Sequence, residues 1–236
     1  MILLLAACEE NHRQADHASA PVVQCGADGA KMKGDVTSIS AVIDRVNALP
    51  HPTSGACLVA SLPRPLQVVA TTGVTSAQPA GGPHEPRLFL INSGVVISVV
   101  PKSDPVDGGS GNHGADFIEM GEWTSASRTI KAEIALPVAD TLPADEPFTR
   151  LEDKMVLVTP CGICHTGESP HPTTAHAYVS KAYRPRDEVT LDGLRAEHTA
   201  CVDSGVESER CDMFHALFDF GSVTQGRFSE DVAYFQ

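Results

Sequence analysis

Between residues 56 and 138 the apolar residues arrive in short bursts. "ACLVASLPRPLQVVATTG", "RLFLINSGVVISVV" and "IKAEIALPV" are runs of Val, Ile and Leu interrupted by Gly, Pro, Asn and Ser. Bursts of this length bounded by turn formers read as strands. "LFLI-NSG-VVISVV" is a hairpin pattern with Asn92, Ser93 and Gly94 at the turn, and "DFIEMGEW" opens a further strand after a polar loop, "VPKSDPVDGGSGNHGAD". A sheet is therefore the main element. One helix precedes it: in "DVTSISAVIDRVNALP", Ile39, Val42, Ile43, Val46 and Leu49 share a face, Thr37 or Ser38 supplies the N-cap, and Pro50 follows the end.

Past residue 150 the pattern changes. "KMVLVTP" reads as a last strand, whereas "TAHAYVSKAY", "TLDGLRAEHTACV" and "RCDMFHALFDFG" read as short helices, the last closed by Gly221. The expected class is α+β. A β-rich module with one leading helix spans 36–150, and a small helix-rich module spans 151–236, with a single α+β domain as the rival arrangement.

The amino terminus reads "MILLLAACEENHRQADHASA". Leu5-Ala6-Ala7-Cys8 resembles a bacterial lipobox, in which the cysteine is acylated. The apolar run is too short to span a bilayer. Residues 1–35 are read as a signal remnant followed by a flexible tether. Cysteines at 8, 25, 57, 161, 164, 201 and 211 agree with export. With Cys8 set aside for lipid, an even number remains, and Cys25/Cys57 and Cys201/Cys211 are candidate disulfides. A net charge of −13 and aromatic content of 5% oppose nucleic-acid binding, which needs cations for phosphates and rings for bases.

"CGICHTGESPHPTTAH" concentrates the reactive side chains. The spacing C-x-x-C followed at once by His brings two thiols to one edge of a porphyrin, where they add across its vinyl groups, and sets an imidazole beneath the iron. Cys161, Cys164 and His165 thus resemble the attachment motif of c-type cytochromes. The resemblance covers the five residues Cys161-Gly162-Ile163-Cys164-His165 and, loosely, a small helical setting. It implies covalent haem c on Cys161 and Cys164, His165 as proximal iron ligand, and Met213, 48 residues further on an apolar helical face, as distal ligand. His171, His176, His198 and His215 are alternative donors, and Glu168 could orient His165. An apolar pocket would draw on Val156, Leu157, Val158, Ile163, Tyr178, Leu217 and Phe218. Two other chemistries fit the same residues: a Cys161–Cys164 disulfide, and zinc held by Cys161, Cys164, His171 and His176.

No G-x-S-x-G or H-E-x-x-H occurs, which removes the simplest hydrolase readings. The expectation is an exported, lipid-anchored electron carrier of the periplasm or cell envelope, serving a redox partner protein rather than converting its own substrate. The alternative is a non-enzymatic envelope lipoprotein with a structural disulfide or zinc at the C-x-x-C pair.

Overall fold

The computed structural model describes residues 21–102, 113–152 and 159–235. Cys8, with the lipobox, and the "MVLV" strand expectation lie outside the described residues.

Strands β1 (Leu66–Thr71), β2 (Arg87–Ile91), β3 (Val95–Val99), β4 (Phe117–Ser125) and β5 (Arg128–Ala135) form an antiparallel meander. The expected hairpin is its β2–β3 unit. Later segments fill both flanks. β7 (Tyr178–Lys181) pairs with β5 and carries β6 (Ser169–Pro170), while β10 (Val223–Gln225) runs parallel to β1 and β9 (Glu188–Val189) joins the end of β1. The result, among the described residues, is one sheet of nine strands in the order β10-β1-β2-β3-β4-β5-β7-β6 with β9 on β1. β8 (Tyr183–Arg184) pairs separately with β11 (Ala233–Tyr234).

Pleating sorts the side chains. Val68, Ala70, Leu88, Leu90, Ile97, Ile118, Ile130 and Ile134 point to one face and are buried under helices. Those helices are α1 (Val22–Gly29), α2 (Ile39–Asn47), α3 (Gly55–Ser61), α6 (Leu191–Ser204) and α7 (Glu209–Phe218). Phe214, Leu58 and Leu217 are fully buried between the two layers. Each contributes about 1.5–3 kcal/mol by leaving water. Ser38, Ser54, Thr190 and Ser208 cap α2, α3, α6 and α7 by accepting a backbone N–H. Two single-turn helices complete the set: α4 (Glu146–Thr149), whose Phe148 joins the same core, and α5 (Cys161–Cys164), which buries no residue.

The class is α+β, but the two kinds of element are not segregated along the chain. α1 and α3 come early and pack on α7, while β7 and β10 come late and complete the sheet. Residues before and after 150 share one core, so the expected division there does not separate two bodies.

Three local expectations are corrected. "ACLVAS" is helix α3, not a strand: buried on all sides, it has no amphipathic period, and the Ser54 cap and Pro63 set its limits. "AYVSK" is strand β7, not a helix, because β5 offers it a free edge. Residues 22–29 form α1, not a tether. Cys25 is bonded to Cys57, and Gly26 and Gly29 let the helix lie flat against its neighbours. The second candidate pair, Cys201–Cys211, also forms a disulfide and ties α6 to α7. Asp219 caps α7, with Gly221 two residues beyond it at φ +131°.

A Cβ at Gly29 would sit 2.3 Å from the Ser61 Cα and 2.5 Å from its carbonyl oxygen, both backbone atoms that cannot step aside. Gly29→Ala should therefore lower stability by about 1–3 kcal/mol, read from denaturant unfolding, even though alanine favours an isolated helix.

Candidate functional site

The face of the sheet opposite the helices is not flat surface. Thr71, Arg87, Phe89, Val96, Ser98, Glu119, Gly121, Trp123, Thr129 and Lys131 point from it into a cleft of about 840 Å³. That volume lies in the range of small-molecule and cofactor sites. Its walls are the 72–77 loop, the 160–165 turn, the 182–187 segment, and Phe228 and Phe235.

Cys161, Cys164 and His165 all line this cleft. Pro160 starts the turn and His165 N closes it on Cys161 O at 2.7 Å. Glu168 braces it from below, accepting from Thr159 N at 2.7 Å and Thr159 Oγ1 at 2.6 Å. Gly162 makes room for that carboxylate, since a Cβ there would meet Glu168 Oε1 at 2.9 Å. Glu168 therefore positions the turn and not the imidazole, contrary to expectation.

The partner of His165 comes from the sheet: its Nδ1–H donates to the Lys181 carbonyl at 2.7 Å. This fixes the tautomer and leaves Nε2 with a free lone pair. Tyr183 lies beside the ring, centroids 5.4 Å apart, and Phe235 packs edge-on against Tyr183. Arg128 donates to Gly167 O and Val179 O, holding the following loop against β7.

Charges on the floor are largely spoken for. Arg87 pairs with Glu119, donates to Ser76 and to Ser98 (2.6 Å), and stacks on Phe89 at 4.7 Å. Ser98 passes the network to Gln78, which donates to Phe117 O. Lys131 donates to Thr129 Oγ1 at 2.7 Å. At the rim, Arg184 and Arg186 lie over Tyr234 at 4.2 and 5.6 Å.

Burial governs protonation here. It lowers the Lys131 ammonium to about 8, partly offset by Cys161 and Glu119. It pushes the Cys161 thiol up to about 11, with Glu119 adding to the rise, so the thiolate is disfavoured. It also takes His165 down to about 4, Lys131 adding to the fall. A thiol held protonated is a poor nucleophile for disulfide exchange.

Of the other sequence candidates, His171, His176 and Met213 do not join this cleft. Cys161 and Cys164 are both free thiols. His171 Nδ1 accepts from Thr174 N, and His176 donates to Glu152. Among the described residues, neither histidine falls into a metal-sized cluster with the two thiols. Met213 is buried in α7, its methyl carbon facing Gly55, behind the sheet from His165. Leu217 lies in that same helix layer. Ile163 is 84% exposed and contributes nothing to an apolar pocket. Arg87, Lys131 and Tyr183 carry no motif that marks them in the sequence, whereas the alternation in "FIEMGEW" puts Glu119, Gly121 and Trp123 on one face.

Scans of protein-family models, curated proteins and solved structures give no match to this chain.

Because the folded imidazole binds a proton only near pH 4 and the unfolded one near 6.5, His165 favours the folded chain above about 6.5. That contribution is lost as the pH falls through about 4. In cofactor-free protein the His165 imidazole resonances should titrate with a midpoint near 4, and His165→Gln should make stability less sensitive to acid over this interval.

Proposed function

We propose that the chain is an exported c-type cytochrome whose cleft takes one haem, and that it carries single electrons to a partner protein. The observation behind this reading is the pairing of His165 with its surroundings. Its Nδ1 is engaged by Lys181 O, its Nε2 is free, and it shares one cofactor-sized cleft with both thiols of the C-x-x-C turn.

In this reading Cys161 and Cys164 would hold the haem through two thioethers, and His165 Nε2 would ligate its iron. A bound haem supplies a one-electron couple between ferric and ferrous iron. Phe89, Trp123, Tyr183, Phe228 and Phe235 line the cleft and would exclude water from a haem bound there. Arg184 and Arg186, at the rim, are suited to the haem's carboxylate side chains. The Glu168–Thr159 brace and the Lys181 carbonyl hold the turn and the imidazole in fixed orientation. Met213, buried in α7 on the other side of the sheet, would not reach a group bound in the cleft. Among the described residues the cleft contains no second histidine. Met120 belongs to the helix-facing side of β4.

Two disulfides suit an oxidising compartment, where haem of this type is also attached. The reading keeps the lipid anchor at Cys8 and a place in the periplasm or cell envelope.

Expression in a periplasm equipped with haem-attachment machinery should give a red protein whose mass includes one haem after denaturation. Cys161→Ala with Cys164→Ala should abolish covalent haem, and His165→Ala should change the iron's spectrum. Met213→Leu should leave that spectrum unchanged. A colourless product without added mass would defeat the proposal.

A further inference from the structure

The outer side of the helix layer holds a second cluster, remote in the fold from the cleft. His198 on α6, His215 on α7 and Asp219 at the end of α7 converge, with one ligating atom from each lying within 4.8 Å of the others. His198 Nε2–H donates to Asp219 Oδ1 at 2.8 Å, and His215 Nδ1–H donates to Asp219 Oδ2 at 2.7 Å. The imidazole centroids are 5.4 Å apart, and Phe218 covers one side of His198 at 5.2 Å.

We propose that His198, His215 and Asp219 form a zinc site. Two imidazole nitrogens and one carboxylate oxygen are a donor set that zinc accepts, and three protein ligands leave a coordination position for water. Around one zinc at Zn–N and Zn–O of about 2.0–2.2 Å, donor atoms sit roughly 3.3 Å apart. Small rotations of three partly exposed side chains reach that spacing. The nitrogens that now donate to Asp219 become the ligands. Each ring's proton moves to its other nitrogen, so two neutral imidazoles bind without net proton loss.

The backbone pre-arranges the trio. The Cys201–Cys211 disulfide clamps α6 to α7, His198 lies one turn before Cys201, and His215 lies one turn after Cys211. His215 and Asp219 are four residues apart, on the same side of the helix end. The carbonyl end of α7, capped by Asp219, adds partial negative charge where a cation would sit. A net charge of −13 raises the local cation concentration further.

The test is calorimetric titration of zinc into the full chain carrying Cys161→Ser and Cys164→Ser, so that those thiols take no metal, with both disulfides verified by mass. One ion should bind per chain. His198→Ala and His215→Ala should each weaken binding by more than the about 10–100-fold that losing a metal's outer-sphere partner costs, with helix content unchanged by circular dichroism. Asp219→Asn should weaken it as well. Absence of saturable binding in the parent, or stoichiometric binding retained in the His198→Ala/His215→Ala double variant, would overturn the assignment. The haem reading is independent, since it depends on Cys161 and Cys164 and not on this trio.

Discussion

Everything else in this molecule follows from the pleat of one antiparallel sheet having two unlike faces. Along β4 and β5, Ile118, Ile130 and Ile134 go one way and Glu119, Gly121, Trp123, Thr129 and Lys131 go the other. The first set requires a cover, and five helices supply it. Covering the second set with packed aliphatic groups would take the charges of Arg87, Glu119 and Lys131 out of water, at a cost their mutual contacts only partly offset. The sheet therefore keeps an open cleft there, and the ion pair, the Ser98–Gln78 relay and the Lys131–Thr129 bond satisfy the polar groups within it. Core and cleft are consequences of the same two-residue period.

Much of the architecture is visible in local pattern. The Asn92-Ser93-Gly94 turn and its flanking bursts predict β2–β3, and the apolar face of Ile39 to Leu49 predicts α2 with its Ser38 cap. α6 and α7 are also foreseeable, as are the two disulfide pairs as candidates. The misreadings share a cause: the deciding partner is distant in sequence. Residues 178–181 are alanine-flanked and look helical until β5, some fifty residues earlier, presents an edge. "ACLVAS" lacks a period because it is buried all round. The glycines that let α1 dock look like tether residues until Phe220 and Ser61 are placed against them.

The candidate site shows the same division. Cys161, Cys164 and His165 announce themselves by spacing, and the cleft brings them together. The cleft itself is not written in any single stretch. Lys181 O, which orients His165, is a backbone atom with no sequence signature, and Tyr183 reaches His165 only through the turn from β7 into β8. Met213 looks attractive as a ligand on helical periodicity alone, yet that periodicity is the mark of a core position. Its face is the one that packs on α3.

The order in which the sheet is stitched has a consequence for how the chain matures. The meander β1–β5 is complete by residue 135, but each of its flanks is filled only by later segments, β7 on one side and β10 with β9 on the other. A nascent chain would thus spend an interval with two bare hydrogen-bonding borders, the arrangement most prone to intermolecular pairing. The cysteine turn sits within the arriving third of the chain. Its thiols face their final surroundings only once those borders are closed, so any covalent modification of them before that moment acts on a flexible segment and not on a finished wall.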